Sequence, residues 1–290
     1  MRTRTHNWII LILTLLLLSS VILYSALSLP YLSTPVTERH LDQANDSLYG
    51  PSGLYGHGIG FLAALFMFLL WLYIIRKRWN RLRGLGRLSQ WLKYHIWFGL
   101  TAPLLAGYHA AFRFEGLIGV MYWAMIAVML SGIIGRYLYG HIPRRVDGHE
   151  MTMKQINTEK AAKLRSLQME FGISSEDINR LQNMTPHTQG QGTLISLYRL
   201  LIFDFQRRFQ VKRILKDFQS KYGTSIKDLE FFKSTIEKQV IMNQRVVVLE
   251  AVSKVFHWWH VIHKPFAYAI FLVLTIHIVL TLSFGFTWIF

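Results

Sequence analysis

The sequence predicts an all-α integral membrane protein, a five-span helical bundle with a helical insert between its last two spans. Three observations carry that reading. Of 290 residues 52% are apolar, and they are gathered in long uncharged runs rather than spread as a globular pattern. The formal charge of +16 sits beside those runs, with no aromatic reading surface of the kind that binds nucleic acid, so no nucleic-acid partner is expected. The polar remainder carries glycine and serine helix punctuation and little strand alternation.

Five runs reach the roughly 20 apolar residues that a helix needs to cross a hydrocarbon core of about 30 Å. They are Trp8 to Leu29, Gly58 to Ile75, Trp91 to Phe112, Leu117 to Tyr139 and Pro265 to Phe284. The first follows Arg2 and Arg4 and ends near Ser25-Ala26-Leu27-Ser28, which also resembles the cleavage region of a signal peptide. Its length favours an uncleaved signal anchor, because the apolar region of a signal peptide runs only about 7–15 residues.

Arg2 and Arg4 precede the first span, and Arg76, Lys77, Arg78, Arg81, Arg83, Arg87 and Lys93 crowd the connection between the second and third. The positive-inside rule makes both regions cytoplasmic. Tyr31 to His57 and the tight turn Arg113 to Gly116 are then external. An inner-membrane, multi-pass topology follows, with a cytoplasmic N-terminus and an external, periplasmic C-terminus. The expected segments are an anchor at 1–30, an external loop at 31–57, spans two to four at 58–140, a cytoplasmic helical insert at 141–256 and the last span within 257–290.

Arg144 and Arg145 open the insert on the cytoplasmic side. Gly172-Ile173-Ser174-Ser175-Glu176-Asp177 and Gly223-Thr224-Ser225-Ile226-Lys227-Asp228 each read as a glycine stop, a serine cap and an acidic residue three positions on. They lie 51 residues apart, which suits a degenerate repeat less well than recurrent capping chemistry. Asp204 to Phe218 interleaves apolar residues with Arg207, Arg208, Lys212, Arg213 and Lys216. That pattern fits a basic amphipathic helix on anionic membrane lipid as well as it fits a solvated helix face. No glycine-rich nucleotide motif follows a strand, so a flavin- or nicotinamide-binding domain of Rossmann type is not expected.

Four histidines carry the chemistry. His95 and His109 are 14 residues apart, and so are His263 and His277 on another span. An α-helix places residues at that interval about 21 Å apart along its axis and about 40° from the same direction. The topology makes the two helices parallel, so His95 pairs in depth with His263, and His109 with His277. A single intramembrane histidine is more often a hydrogen-bonded core residue, but ionisable groups there are costly and usually functional. Two matched pairs suit two stacked haems, each iron held by an imidazole from either helix. The chain contains no cysteine, which excludes cysteine-ligated iron–sulfur clusters and Cys-x-x-Cys-His haem attachment and leaves haem b as the expected cofactor. Ala102, Ala106 and Ala267 offer room for a flat macrocycle.

Other residues compete or assist. His260 is 17 residues from His277, about 100° away on a regular helix, and is the weaker ligand unless Pro265 kinks or begins the last helix. His57 reads as an interfacial residue, with a ligand or proton-donor role as the alternative. Arg136 and His141 either neutralise haem propionates or snorkel to the interface.

The paired intervals resemble those of diheme membrane cytochromes b, including respiratory cytochrome b subunits and the ferric reductase and NADPH oxidase transmembrane superfamily. The likeness covers the third to fifth spans and not the insert. It implies a bis-histidine haem-iron electron-transport protein, the metal ligands being His95, His109, His263 and His277. Two ligands saturate each iron, which favours electron transfer over inner-sphere catalysis. The expected function is an electron-transfer subunit of a membrane oxidoreductase, linking a quinol or cytoplasmic donor to an external redox protein such as a multihaem cytochrome; quinone is then a further cofactor. A self-contained reductase of ferric chelates or oxygen is one alternative. A non-redox metal transporter or scaffold is another.

Overall fold

The computed structural model describes residues 2–82, 84–141, 193–222 and 229–286, with scattered positions between 155 and 177. Every regular element among these residues is helical. They are α1 (Arg2–Ser33), α2 (Gln43–Tyr49), α3 (Leu54–Arg78), α4 (Leu88–His109), α5 (Gly116–His141), α6 (Thr193–Tyr222) and α7 (Leu229–Ser283), with short 3-10 turns at Arg39–Leu41 and Asn80–Leu82. The chain divides into two compact units, Met1–Ile133 with Ile262–Phe290, and Ile134–Val261.

Among the described residues four stretches are long and apolar enough to cross a membrane: Arg4–Ser33, Gln43–Arg78, Gly116–His141 and Ala251–Ser283. In α1, Trp8, Leu15, Ile22 and Leu29, seven residues apart and so on one face, are all more than half exposed, an apolar stripe turned outward as suits a lipid-facing span. Its hydroxyls are returned to its own carbonyls, Thr14 to Ile10 at 2.7 Å, Ser25 to Val21 at 2.7 Å and Ser28 to Tyr24 at 2.7 Å, which is how an isolated polar group survives away from water. The helix passes unbroken through Ser25–Ser28 and Pro30.

The third expected span, α4, is not among the four. Its Ser89, Gln90, Lys93, His95 and His109 lower its mean hydropathy, and its neighbours cover what lipid would not accept. Gln90, Thr101, Ala102, Pro103, Leu105 and Gly107 are buried. Lys93 donates to Asn7 Oδ1 at 2.6 Å, the His6 ring meets the Tyr94 hydroxyl at 2.9 Å, and Trp97 Nε1 donates to Thr14 Oγ1 at 3.0 Å. Toward the other end the Ser25 and Tyr108 hydroxyls are 2.7 Å apart.

Those contacts fix direction. Residues 7, 14 and 25 of α1 meet 93, 97 and 108 of α4, so the two helices run parallel. On α3, Phe66 meets Phe98 and Gly56 meets His109, so α3 is antiparallel to α4. Trp71 and Phe68 pack on Tyr268 and Phe271 of α7, with ring centroids 5.6 and 5.0 Å apart, so α3 is antiparallel to α7 as well. The part of α7 in this unit therefore runs parallel to α4.

A compact device ends α4. Phe112 N donates to Gly107 O at 3.0 Å and Ala111 N to Tyr108 O at 2.9 Å, closing the helix with Ala111 and Phe112 at φ 48° and 58°. Left-handed residues other than glycine cost of order 1 kcal/mol or more and need outside support. Buried Arg39 supplies it, donating to Ala111 O at 2.6 Å, Leu32 O at 2.9 Å and Thr34 O at 2.9 Å. The next helix, α5, opens at Gly116, φ 62°.

In the other unit, Leu138 and Val252 form a buried core packed by Tyr137, Leu197, Leu249, Val255 and Phe256. A Cβ on Gly135 would stand 2.3 Å from the Trp259 indole, so glycine lets that ring seat. Ser174 accepts from Asp177 N at 3.2 Å after Gly172 at φ 62°, the serine cap expected there. Lys221 adds an ion pair to Asp177 at 2.6 Å. The second capping segment, 223–228, lies outside the described residues, as do Arg144 and Arg145. On α6, Val211 and Ile214 are buried while Tyr198, Phe205 and Phe209 are exposed, the last two by 83% and 70%. Lys212, Arg213 and Lys216 are exposed beside them. The side chains of Arg207 and Arg208 are outside the described set.

Candidate functional site

The ends of α3, α4, α5 and α7 that lie nearest the α4–α5 turn enclose a cavity of about 270 Å³. His57, His109, His277 and Arg113 reach it, and the rest of its wall is mainly apolar. The two ligands expected from different helices meet here: the His109 and His277 rings have centroids 6.5 Å apart at an interplanar angle of 65°. A ligating imidazole nitrogen stands about 2.0 Å from its metal, so two opposed rings sharing one metal have centroids roughly 6 Å apart. The observed separation suits a metal between them.

Small residues make the space. Ala63, Ala64, Ala102, Ala106 and Ala110 line the cavity, including the two alanines singled out between His95 and His109. Gly60 is more demanding, since a Cβ there would stand 2.6 Å from His109 Nδ1. Together with Gly56 it forms a small-residue pair at helical spacing, the means by which helices in lipid approach closely.

Long-range hydrogen bonds orient the imidazoles. His109 Nδ1 lies 3.0 Å from Gly56 O, and His95 Nδ1 lies 3.1 Å from Leu70 O, both on α3. A carbonyl only accepts, so each Nδ1 carries the proton and Nε2 keeps the lone pair. His263 Nδ1 is 2.8 Å from Ser131 Oγ, whose own proton goes to Val128 O at 2.8 Å. Ser131 therefore accepts, and His263 has the same tautomer. Three of the four histidines thus have Nδ1–H anchored to another helix and Nε2 as the ring atom for a metal, the arrangement that ligating histidines use.

Of the other expected pair, His95 packs on Tyr73, centroids 5.0 Å apart, and His263 lies beside Gly132, whose added Cβ would be 3.9 Å from its Cε1.

The competing histidines separate from the ligand set in two ways. His260 and His141 turn Nδ1 back on their own helices, to Phe256 O at 3.1 Å and Tyr137 O at 2.9 Å, whereas His95, His109 and His263 turn it to a neighbouring helix. Pro265 sits inside the unbroken helix α7 rather than starting it. His57, in the first turn of α3, is buried, stacked on Phe61 at 5.2 Å and 6.1 Å from the His109 ring. Arg136 is exposed, with its guanidinium 5.7 Å from the Tyr139 ring centroid in the second unit.

Gly56, Gly60, Ser131 and the Leu70 carbonyl were not signalled by the histidine intervals. The glycines were detectable through their four-residue spacing; Ser131 and Leu70 act through a hydroxyl and a backbone oxygen that any span contains. Among the described residues no group of three or more His, Cys, Asp or Glu side chains converges on a bare metal ion. No protein-family model, curated protein or solved structure matches the chain.

Proposed function

We propose that this membrane protein carries electrons across the bilayer through two b-type haems, the outer held by His109 and His277 and the inner by His95 and His263. The observation that carries the reading is the cross-helix anchoring of Nδ1 in His95, His109 and His263, with the 6.5 Å approach of His109 to His277 beside an apolar cavity. Haem supplies one-electron exchange between ferric and ferrous iron. The protein's part is orientation, exclusion of water and supply of two strong neutral ligands per iron.

Five spans, with α4 as the third, are part of this proposal. The parallel course of α1, α4 and the last part of α7, with α3 antiparallel to both α4 and α7, supports alternate crossings. The arginine-rich connection after α3 then faces the cytoplasm and the outer cavity the external side. Likeness to diheme cytochromes b, a quinol or cytoplasmic donor and an external redox partner belong to the same reading, as does the view that the chain is one subunit of an oxidoreductase.

The direct test is electron passage through a sealed bilayer. Purified full-length protein is reconstituted in liposomes that enclose ferricyanide, and dithionite is added outside. The reading expects the trapped oxidant to bleach faster than in protein-free vesicles, and the acceleration to vanish in His109→Ala and in His95→Ala. Bleaching at the protein-free rate would overturn it.

A further inference from the structure

The outer cavity has a cationic rim that its protein groups do not fully satisfy. Arg113, just after the α4 turn, lines the cavity together with His109 and His277. Its Nη2 donates to the Tyr31 hydroxyl at 2.9 Å and lies 3.6 Å from Asp46 Oδ1. Tyr31 passes its own proton to that same carboxylate oxygen. The Nε–H of Arg113 is buried and has no hydrogen-bond partner among the described residues. Such a donor costs about 1–3 kcal/mol when left unmade, more for a charged group, so it calls for an occupant.

The local charge points the same way. Arg39 lies over the Tyr31 ring at 5.3 Å and gives all its described hydrogen bonds to carbonyls, so none of them is to an anion. Within this linked cluster Arg39 and Arg113 bring two positive charges and Asp46 one negative. These linked groups therefore carry a net positive charge. An occupant must also reach a mainly apolar cavity beside two imidazoles, which suits a carboxylate attached to a flat apolar body.

We propose that Arg113 binds a carboxylate at the mouth of the outer cavity, a propionate of the haem held by His109 and His277. This inference rests on the haem reading above and adds a residue to it. Arg113 is then a positioning and charge-setting residue that orients the macrocycle with its acidic edge outward. Its guanidinium also opposes the extra positive charge of ferric iron, so it raises the reduction potential of that haem alone.

The test is a redox titration of purified holoprotein monitored in the visible, for wild type, Arg113→Gln, Arg113→Lys and Tyr31→Phe. The outer haem is identified as the one lost in His109→Ala. Arg113→Gln is expected to shift its midpoint to a more negative potential and leave the inner haem unmoved. Arg113→Lys, which keeps the charge, should recover part of the shift even if the glutamine variant folds poorly. Tyr31→Phe removes the supporting bond but not the charge and should stay near wild type. Unchanged potentials in Arg113→Gln with both haems present would overturn the assignment, and so would an equal shift in Tyr31→Phe. A wild-type potential that moves with added acetate at constant ionic strength would give the site to a soluble anion instead. Protein without haem would fail the underlying reading, a result distinct from all of these.

Discussion

His109 shows how much of a site one side chain can organise. It points into the cavity while its Nδ1–H is tied to Gly56 O, and Gly60 leaves its ring just enough room. Gly60→Ala should therefore displace the ring and roughly halve the haem content, a loss that pyridine haemochrome assay would read directly, while a spectrum of the inner haem persists. Gly58, on the same helix but outside the cavity wall, serves as the control. Ser131→Ala removes the acceptor that fixes the His263 tautomer, and loss of such a partner typically costs 10- to 100-fold in ligand affinity. Faster haem loss from the site of His263 alone, measured by transfer to apomyoglobin, is the expected outcome. The four proposed ligands stand out in the sequence because a 14-residue interval recurs, and helical geometry converts that interval into two depths. In the sequence His57 reads as standing at a span's end, and it does stand in the first turn of α3; its burial beside Phe61 and His109 arises from packing that sequence position does not show.

At the scale of elements, the expected span that hydropathy passes over is the one that carries His95 and His109. Hydropathy finds α1, α3, α5 and α7, because each has a long uncharged stretch facing outward. It passes over α4, whose polar side chains are satisfied by neighbours that a window average does not see. The turn that ends α4 depends on Arg39. Replacing it with alanine removes three hydrogen bonds from a charged donor to carbonyls, and a loss of about 3 kcal/mol is expected after partial rehydration. A lowered thermal midpoint in detergent, with outer haem released before the inner, would report it; an unchanged midpoint would show that the two left-handed residues support themselves. For α6 the basic residues were legible but their setting was not. Exposed Phe205 and Phe209 next to Lys212, Arg213 and Lys216 favour lipid over water as the neighbour. The chain has no native cysteine, so a nitroxide on Phe205→Cys is a unique probe. In anionic bilayers it should be more accessible to oxygen than to a polar nickel chelate, whereas the reverse order would assign α6 to solvent.

For the whole molecule, the all-helical membrane character was readable from composition and charge placement, since lipid admits few alternatives to helices for a chain patterned in apolar runs. The contacts show α1, α4 and the end of α7 running parallel, the course that the proposed alternate crossings require. What the sequence left open is chemical detail that arises only when distant segments meet. Arg39 comes to brace a turn after residue 110, and Arg113 comes to share Tyr31 and Asp46 at the cavity mouth. The central claim is that four histidines hold two haems in pairs. It is tested most directly by a reduced-minus-oxidised visible spectrum with haem quantitation on purified protein, for wild type and for each of His95→Ala, His109→Ala, His263→Ala and His277→Ala. The account predicts two b-type haems per chain, one lost in every single variant, with His109→Ala and His277→Ala losing the same one and the double variant losing no more. A colourless wild type would contradict it.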